Sequence, residues 1–311
     1  MSLERALELA DAARGRAYPK PTVGAVLERD GEIVGEGVTE AAGRHGEIVA
    51  LAQAGERARG ATLYVTMEPC AHQGTTPPCT EAIVAAGVAR VVAASRDPNP
   101  EAAGGLARLE AAGVEVELDE RVEARRQNEA WRTWVAHRRP FVTYKVAVTL
   151  DGRVTVPGTR WVSGEESRRL VHELRAATDA VAVGMGTVRL ENPRLDAREV
   201  PAERQPRRLA FGTGPLPEGS ELELRSGPLD EELRALAEEG VQSLLLEGGP
   251  TLAGAFLRAG LVDKLLVFVA PVLSGQGPGL VDRLDQPLRL LEVSSKRVGG
   301  DVLVEAYLHE P

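Results

Sequence analysis

The apolar and polar positions of the first 120 residues fall into short elements of alternating period. Residues 2–14 carry an apolar stripe at helical spacing with acids between, an amphipathic helix. TVGAVLERDGEIVGEGV (22–38) is two apolar runs around Asp30-Gly31, a strong hairpin-turn dipeptide. HGEIVALAQAGERA (45–58) returns to helical spacing, with Gly60 after it, and ATLYVTM (61–67) is a buried strand. PPCTEAIVAAG (77–87) opens a helix on Pro, holds Cys79 in the first turn and stops at Gly87. ARVVAAS then reads as a strand, GLARLEAAG as a helix and VEVEL as a strand. This order of helix, hairpin and alternating helices and strands predicts a three-layer α/β unit with a largely parallel portion.

A charged helix over 119–138 forms the exit from that unit, and HRRP at 137–140 is the expected boundary, giving domains 1–139 and 140–311. FVTYKVAVTLDGRV restarts with a long strand and a turn at Asp151-Gly152. GEESRRLVHELRAAT is a helix, DAVAVGMGTV a strand running into a Gly turn, and PRRLAFG a strand. Residues 229–239 are a helix, VQSLLLEGG a strand, PTLAGAFLRAG a helix and VDKLLVFVAPVL a strand. DVLVEAYLH closes the chain as a strand, expected at an exposed edge. Residues 196–206 and 212–228 are Pro- and charge-rich loops. No internal repeat is present.

A length of 311 residues fits two domains, and aromatics are only 4% of them, so Ala, Val and Leu must fill the cores. The net charge is −9, with no basic block, which argues against a nucleic-acid partner. No run approaches the roughly 18 apolar residues of a membrane span, and the first residues lack the apolar core of a signal peptide, so a cytoplasmic address is expected.

Both cysteines, Cys70 and Cys79, stand in MEPCAHQGTTPPC (67–79). A lone disulfide is disfavoured in a reducing compartment. A catalytic zinc site needs three protein ligands and an open position for water. His45, at a helix start in RHGEIVAL, supplies the third ligand, and Glu47 beside it can shuttle a proton. His72 inside the loop would compete as a ligand or touch substrate; as a ligand it is disfavoured, because Glu47 accompanies only His45. H-x-E followed by P-C and a second Cys is a zinc-deaminase signature, here with eight residues between the cysteines instead of two. The bland alternative is a buried, unreactive Cys pair with a surface His.

In the second half no G-x-G-x-x-G links a strand to a helix, and the lone G-x-G at 184–186 carries little weight. LLLEGGPTLAG ends a strand in Glu247-Gly248-Gly249 and opens a helix on Pro250. That is either a phosphate-binding helix start or an ordinary turn.

PTVGAVL, HGE, GATLYVTMEPCAHQGTTPPC and RDPNP resemble the deaminase domain of the bifunctional riboflavin-biosynthesis deaminase–reductase family. KVAVTLDGR, RWVSGEESRRLVHELRA, DAVAVGMGTV, ENPRLDAR and LLLEGGPTLAGAFL resemble its reductase domain, so the likeness spans nearly the whole chain. It implies a cytidine-deaminase-like α/β/α domain followed by a dihydrofolate-reductase-like α/β domain. It also implies Zn2+ on His45, Cys70 and Cys79, with Glu47 as the catalytic proton carrier. NADPH would be held by Ala147, Trp161, Thr187 and Glu191 and by Gly249, Pro250, Thr251, Leu252, Ala253, Gly254 and Ala255. Thr159, Arg175, Leu195, Arg198 and Glu247 would meet a pyrimidine ribosyl phosphate. Lys145 would either lie near the reacting sugar or make a structural salt bridge. The family commonly forms homodimers or homotetramers, which the expected edge strand would suit.

The chain departs from the family pattern at Lys20, where Asn is usual, at Gly46, where Ala is usual, and at Thr75, where an Arg is lost. A Lys at position 20 would take over a polar or phosphate contact. Two other functions fit parts of the sequence: a deaminase of other nucleotides whose second domain only binds a nucleotide, and a non-catalytic nucleotide sensor.

Overall fold

The hairpin predicted around Asp30-Gly31 forms between β1 (Gly24–Arg29) and β2 (Glu32–Val38), with Asp30 and Gly31 both at positive φ. A computed structural model describes residues 2–73, 77–202 and 204–310. It divides the chain into two units, Met1–Ala136 and His137–Pro311.

The first unit is a five-stranded sheet in the order β2-β1-β3-β4-β5, where β3 is Thr62–Val65, β4 Arg90–Ala93 and β5 Glu115–Leu118. β1 runs antiparallel to β2 and β3; β3, β4 and β5 run parallel. Period-two alternation divides the strand residues between two faces. Leu63, Val65, Val91 and Ala93 pack with α2 (Gly46–Ala54), α3 (Cys79–Ala85) and α4 (Gly105–Ala111). Val92 and Ala94 pack on the other side with Leu3 of α1 (Ser2–Ala12) and Ala124 of α5 (Val122–Gln127). The result is the expected α/β/α sandwich.

Bare backbone brings α2 against the hairpin. A Cβ on Gly37 would lie 2.2 Å from the Gly46 carbonyl oxygen, and one on Gly46 would lie 2.4 Å from that of Val23. Gly46 therefore does more than cost helix propensity, because in this chain no side chain fits there.

The charged segment 119–138 is not one helix. It is α5 and α6 (Glu129–His137), broken at Asn128, whose φ of −125° and ψ of 24° leave the helical region. Buried Asn128 accepts a hydrogen bond from the Thr22 N–H at 2.8 Å and donates one to the Thr22 carbonyl at 2.9 Å. That long-range bridge outweighs the local periodicity.

The second unit is an eight-stranded mixed sheet, order β12-β13-β11-β6-β10-β7-β8-β9. The strands are β6 (Phe141–Thr149), β7 (Ala180–Gly184), β8 (Arg207–Phe211), β9 (Glu223–Arg225), β10 (Ser243–Leu246), β11 (Lys264–Ala270), β12 (Leu291–Val298) and β13 (Asp301–Tyr307). All neighbours from β11 to β9 pair in parallel; β13 and β12 are antiparallel additions. α9 (Leu229–Glu238) and α10 (Pro250–Arg258) cover one face, where Phe211 and Phe256 meet edge to face at 5.5 Å. α7 (Glu165–Ala177) and α8 (Met185–Glu191) cover the other.

Three expectations are corrected by this topology. The closing strand β13 is internal, because the unanticipated strand β12 pairs along it and takes the edge. The 212–228 loop contains β9, held parallel to β8. The Gly turn after β7 is instead the N-cap of α8, with Gly184 at φ −83° and ψ 154°.

Candidate active sites

Three backbone features gather the first site. His45 is the N-cap of α2, Cys79 the first residue of α3, and Cys70 lies five residues beyond the end of β3. The Cys70 segment is pinned on both sides. Its carbonyl accepts from the Thr80 N–H, and Ala71 N–H donates to the Ala102 carbonyl at 3.1 Å. Buried Glu68 accepts from the Leu106 N–H at 3.0 Å and the Asp97 N–H at 3.3 Å, tying together the ends of β3 and β4 and the start of α4.

His45 Nδ1 lies 3.2 Å from Cys79 Sγ and 3.6 Å from Cys70 Sγ, and the three ligand atoms all fall within 4.8 Å of one another. Tetrahedral Zn2+ with ordinary Zn–N and Zn–S bonds would separate such N and S atoms by about 3.6 Å. The Cys79 amide donates to Cys70 Sγ at 3.3 Å. A hydrogen bond with the Cys79 thiol, helped by His45, pulls the Cys70 thiol down against the effect of burial. A soft anionic sulfur, a second sulfur and an imidazole nitrogen on one point suit zinc. His72 is not in this group; it lines the adjacent cavity with a buried Nδ1 that has no partner.

Glu47, in the first turn of α2, is 3% exposed, and its Oε2 has no hydrogen-bond partner. Burial pushes its carboxyl up. The cavity that Glu47 lines measures about 380 Å3, room for a heterocycle and part of a sugar. Lys20, Asp97, Asn99 and Trp131 also line it. Asp97 is pushed up to about 6, chiefly by burial. Its motif, RDPNP, is visible in sequence, but a role for Asp97 and Asn99 in this cavity is not. Trp131, on α6, gives no sequence signal at all. Thr75 lies outside the described residues.

In the second unit Glu247 follows β10 and is clasped by two cations. Arg175 donates from Nε at 2.6 Å and Nη2 at 3.0 Å, and Lys145 Nζ lies 3.4 Å away. All three side chains are largely buried, and the two cations hold the Glu247 carboxyl below its usual range despite burial. Arg175 Nη1 also donates to the Asp196 carbonyl at 3.2 Å, and Arg198 pairs with the Asp196 carboxylate. Leu195, at φ 53°, is buried beside them. The structure thus joins Arg175, Glu247 and Lys145 directly, and Leu195 and Arg198 through Asp196. Lys145 makes the salt bridge that was one of its two readings.

Gly249 is the N-cap of α10 with Pro250 in the first turn, and a Cβ on Gly249 would lie 3.7 Å from Thr187 Oγ1, so Thr187 and the Gly249 segment adjoin. Thr251 is exposed and Leu252 and Ala255 half-buried, whereas Ala253 and Gly254 face the interior. Trp161 is 51% exposed, with the guanidinium of Arg160 4.9 Å and that of Arg168 5.5 Å from its ring centre. The Thr159 hydroxyl bonds to the carbonyls of Val156 and Trp161. Ala147 packs near Phe268, and Glu191 is exposed at the end of α8.

Residues 1–95 match the cytidine and deoxycytidylate deaminase zinc-binding region, and residues 140–304 match the RibD C-terminal domain. The riboflavin biosynthesis protein RibD of Aquifex aeolicus is 39% identical, covering 97% of this chain and 96% of that protein. That of Escherichia coli K12 is 37% identical over 96% of each. The chain belongs to the bifunctional riboflavin-biosynthesis deaminase–reductase family. Solved structures of the family agree: Acinetobacter baumannii RibD superposes with a TM-score of 0.84 at 34% identity, covering 98% of this chain and 97% of that one. The Thermotoga maritima deaminase/reductase gives 0.82 at 32% identity, with the same coverage. The chain is accordingly a bifunctional deaminase and reductase of riboflavin biosynthesis, with the family's His-Cys-Cys zinc site in its first unit. The C-terminal match implies a nucleotide cofactor in the second unit. No helix among the described residues is long and apolar enough to cross a membrane.

Proposed function

We propose that the first unit, within the expected domain 1–139, hydrolyses the ring amine of 2,5-diamino-6-ribosylamino-4(3H)-pyrimidinone 5′-phosphate. The second, within 140–311, then reduces the ribosyl group to ribityl. The observation that carries this reading is the half-buried His45 with buried Cys70 and Cys79, and an unpartnered Glu47 oxygen lining the same cavity. Zn2+ on that group would supply a water acidic enough to ionise near neutral pH. Glu47 would take a proton from water in this cavity and return it to the amine nitrogen, which leaves as ammonia while the ring carbon gains oxygen.

In the second unit NADPH would supply the hydride that C1′ receives. The residues fit a nucleotide cofactor. The α10 start has a glycine N-cap with no side-chain cap, leaving N–H groups for a diphosphate. Thr187 stands beside it, and Ala147, Trp161 and Glu191 complete the proposed cofactor set. Arg175 spends three of its five N–H groups on Glu247 and Asp196, so two remain for the substrate phosphate, with Arg198 as the second clamp. Thr159 and Leu195 would complete the sugar-phosphate subsite. Lys145, salt-bridged to Glu247, would lie near the reacting sugar and protonate the ribose ring oxygen as the ring opens.

The test follows ammonia release and NADPH oxidation together in zinc-loaded protein given the diaminopyrimidine ribosyl phosphate. Ammonia should appear first and NADPH oxidation should lag behind it. Ammonia without NADPH oxidation would overturn the assignment of the second unit, and neither signal would overturn the substrate.

A further inference from the structure

The cavity of the first unit has three carboxylates and one ammonium among its described lining residues. Glu47, Glu68 and Asp97 line it, and Lys20 is the one Lys or Arg among its described lining residues. Lys20 precedes β1 and is exposed. Its ammonium rests against Gly43, where a Cβ would lie 2.8 Å from Nζ, so Lys20 borders the loop that leads to His45. Three arginines on neighbouring segments are committed elsewhere. Arg44 is bidentate to Glu40, Arg108 bonds Glu81 and the Ala71 carbonyl, and Arg132 bonds the Arg96 carbonyl. Lys20 makes no ion pair with any described carboxylate. An anionic substrate entering a cavity with three carboxylates needs a positive charge within reach, and an uncommitted ammonium at its wall supplies one.

We propose that Lys20 binds the substrate's phosphate and makes the first unit selective for phosphorylated pyrimidine ribosides over their unphosphorylated counterparts. This rests on the deaminase reading above. Lys20 thus acts on specificity through binding, and the proton transfer stays with Glu47.

The test compares the zinc-loaded full chain with its Lys20→Gln and Lys20→Arg variants. Ammonia release is measured on the diaminopyrimidine ribosyl phosphate and on the same riboside after phosphatase treatment. Lys20→Gln should raise KM for the phosphorylated substrate by about 10-fold to 100-fold, the usual range for losing one charge-assisted hydrogen bond. KM for the riboside should stay level, and Lys20→Arg should restore the preference. Added salt should weaken the parent's phosphate preference and leave the Gln variant unaffected. Reduction of already deaminated substrate, measured on the same preparations, reports folding. An unchanged preference in Lys20→Gln, or equal losses on both substrates, overturns the proposal. If the parent releases ammonia from neither substrate, the deaminase substrate is wrong and calorimetric titration with ribose 5-phosphate decides Lys20. Weaker binding by Lys20→Gln than by the parent sustains its role, and equal binding ends it.

Discussion

Glu47→Gln is the sharpest perturbation of the first site because it changes charge and proton affinity while keeping shape. Glu47 is 3% exposed and its Oε2 has no partner, so the new amide breaks no hydrogen bond at that atom. Two opposing effects set stability. Burial disfavours the charged carboxylate, and Gln removes that cost; an unpaired buried amide costs about 1–3 kcal/mol. They nearly offset, and the variant should melt within about 4 °C of the parent. Zinc content should remain one per chain, since the His45, Cys70 and Cys79 side chains are untouched. Deamination should fall by about 10²- to 10⁴-fold, or roughly 3–5 kcal/mol in barrier, because Glu47 is the cavity glutamate with an unpartnered oxygen, whereas Glu68 is held by the Leu106 and Asp97 amides. NADPH oxidation with already deaminated substrate should be unchanged. Metal analysis, an ammonia assay and absorbance of NADPH read these three quantities separately. Deamination retained within about tenfold would refute Glu47 as the proton carrier, and parallel loss of both activities would refute independent sites.

Two further outcomes follow from packing and charge elsewhere in the chain. A Cβ at Gly105 would fall 1.7 Å from the Pro69 carbonyl oxygen, a backbone atom that cannot swing aside, so Gly105→Ala must push the segment carrying Cys70. Zinc affinity in chelator competition should drop at least about tenfold, with a stability loss of about 1–3 kcal/mol; an unchanged metal affinity would show that Cys70 does not depend on this contact. Buried Asp263 accepts from Arg139 at 2.7 Å, from the Val142 N–H at 2.7 Å and from His309 at 2.6 Å. These partners hold its carboxyl below the usual range, while Asp263 raises His309. The His309 contribution is complete below its unfolded value near 6.5 and is lost as pH rises through the elevated folded value. The Asp263 contribution is present above its unfolded value near 3.9 and lost as pH falls through the depressed one. Melts from pH 6 to 9 should therefore lose stability on the alkaline side, and His309→Asn should flatten that slope; an identical slope in the variant would remove His309 as its source.

Local chemistry makes much of this protein legible in its amino-acid sequence alone. Asp30-Gly31 specifies its hairpin because few residues accept positive φ at both turn positions. Pro77-Pro78-Cys79 opens a helix for the same kind of local reason, and the His45, Glu47, Cys70 and Cys79 set stands out because a metal needs rare residue types that few other roles require. Sequence does not supply what is decided by a partner far along the chain. β12 has an outward-facing, mostly exposed pattern, so no apolar alternation marks it; backbone pairing with β13 makes it a strand. α5 and α6 part at Asn128 because Thr22, over 100 positions away, claims its side chain. Trp131 and Asp97 reach the deaminase cavity only once α6 and the end of β4 are folded beside it. Arg175 and Glu247, 72 residues apart, become one buried ion pair only when α7 packs across the sheet. Turns, caps and ligand types are fixed by energies within a few residues. Edges, helix breaks and shared charges are fixed by burial and hydrogen-bond satisfaction, which exist only when distant segments meet.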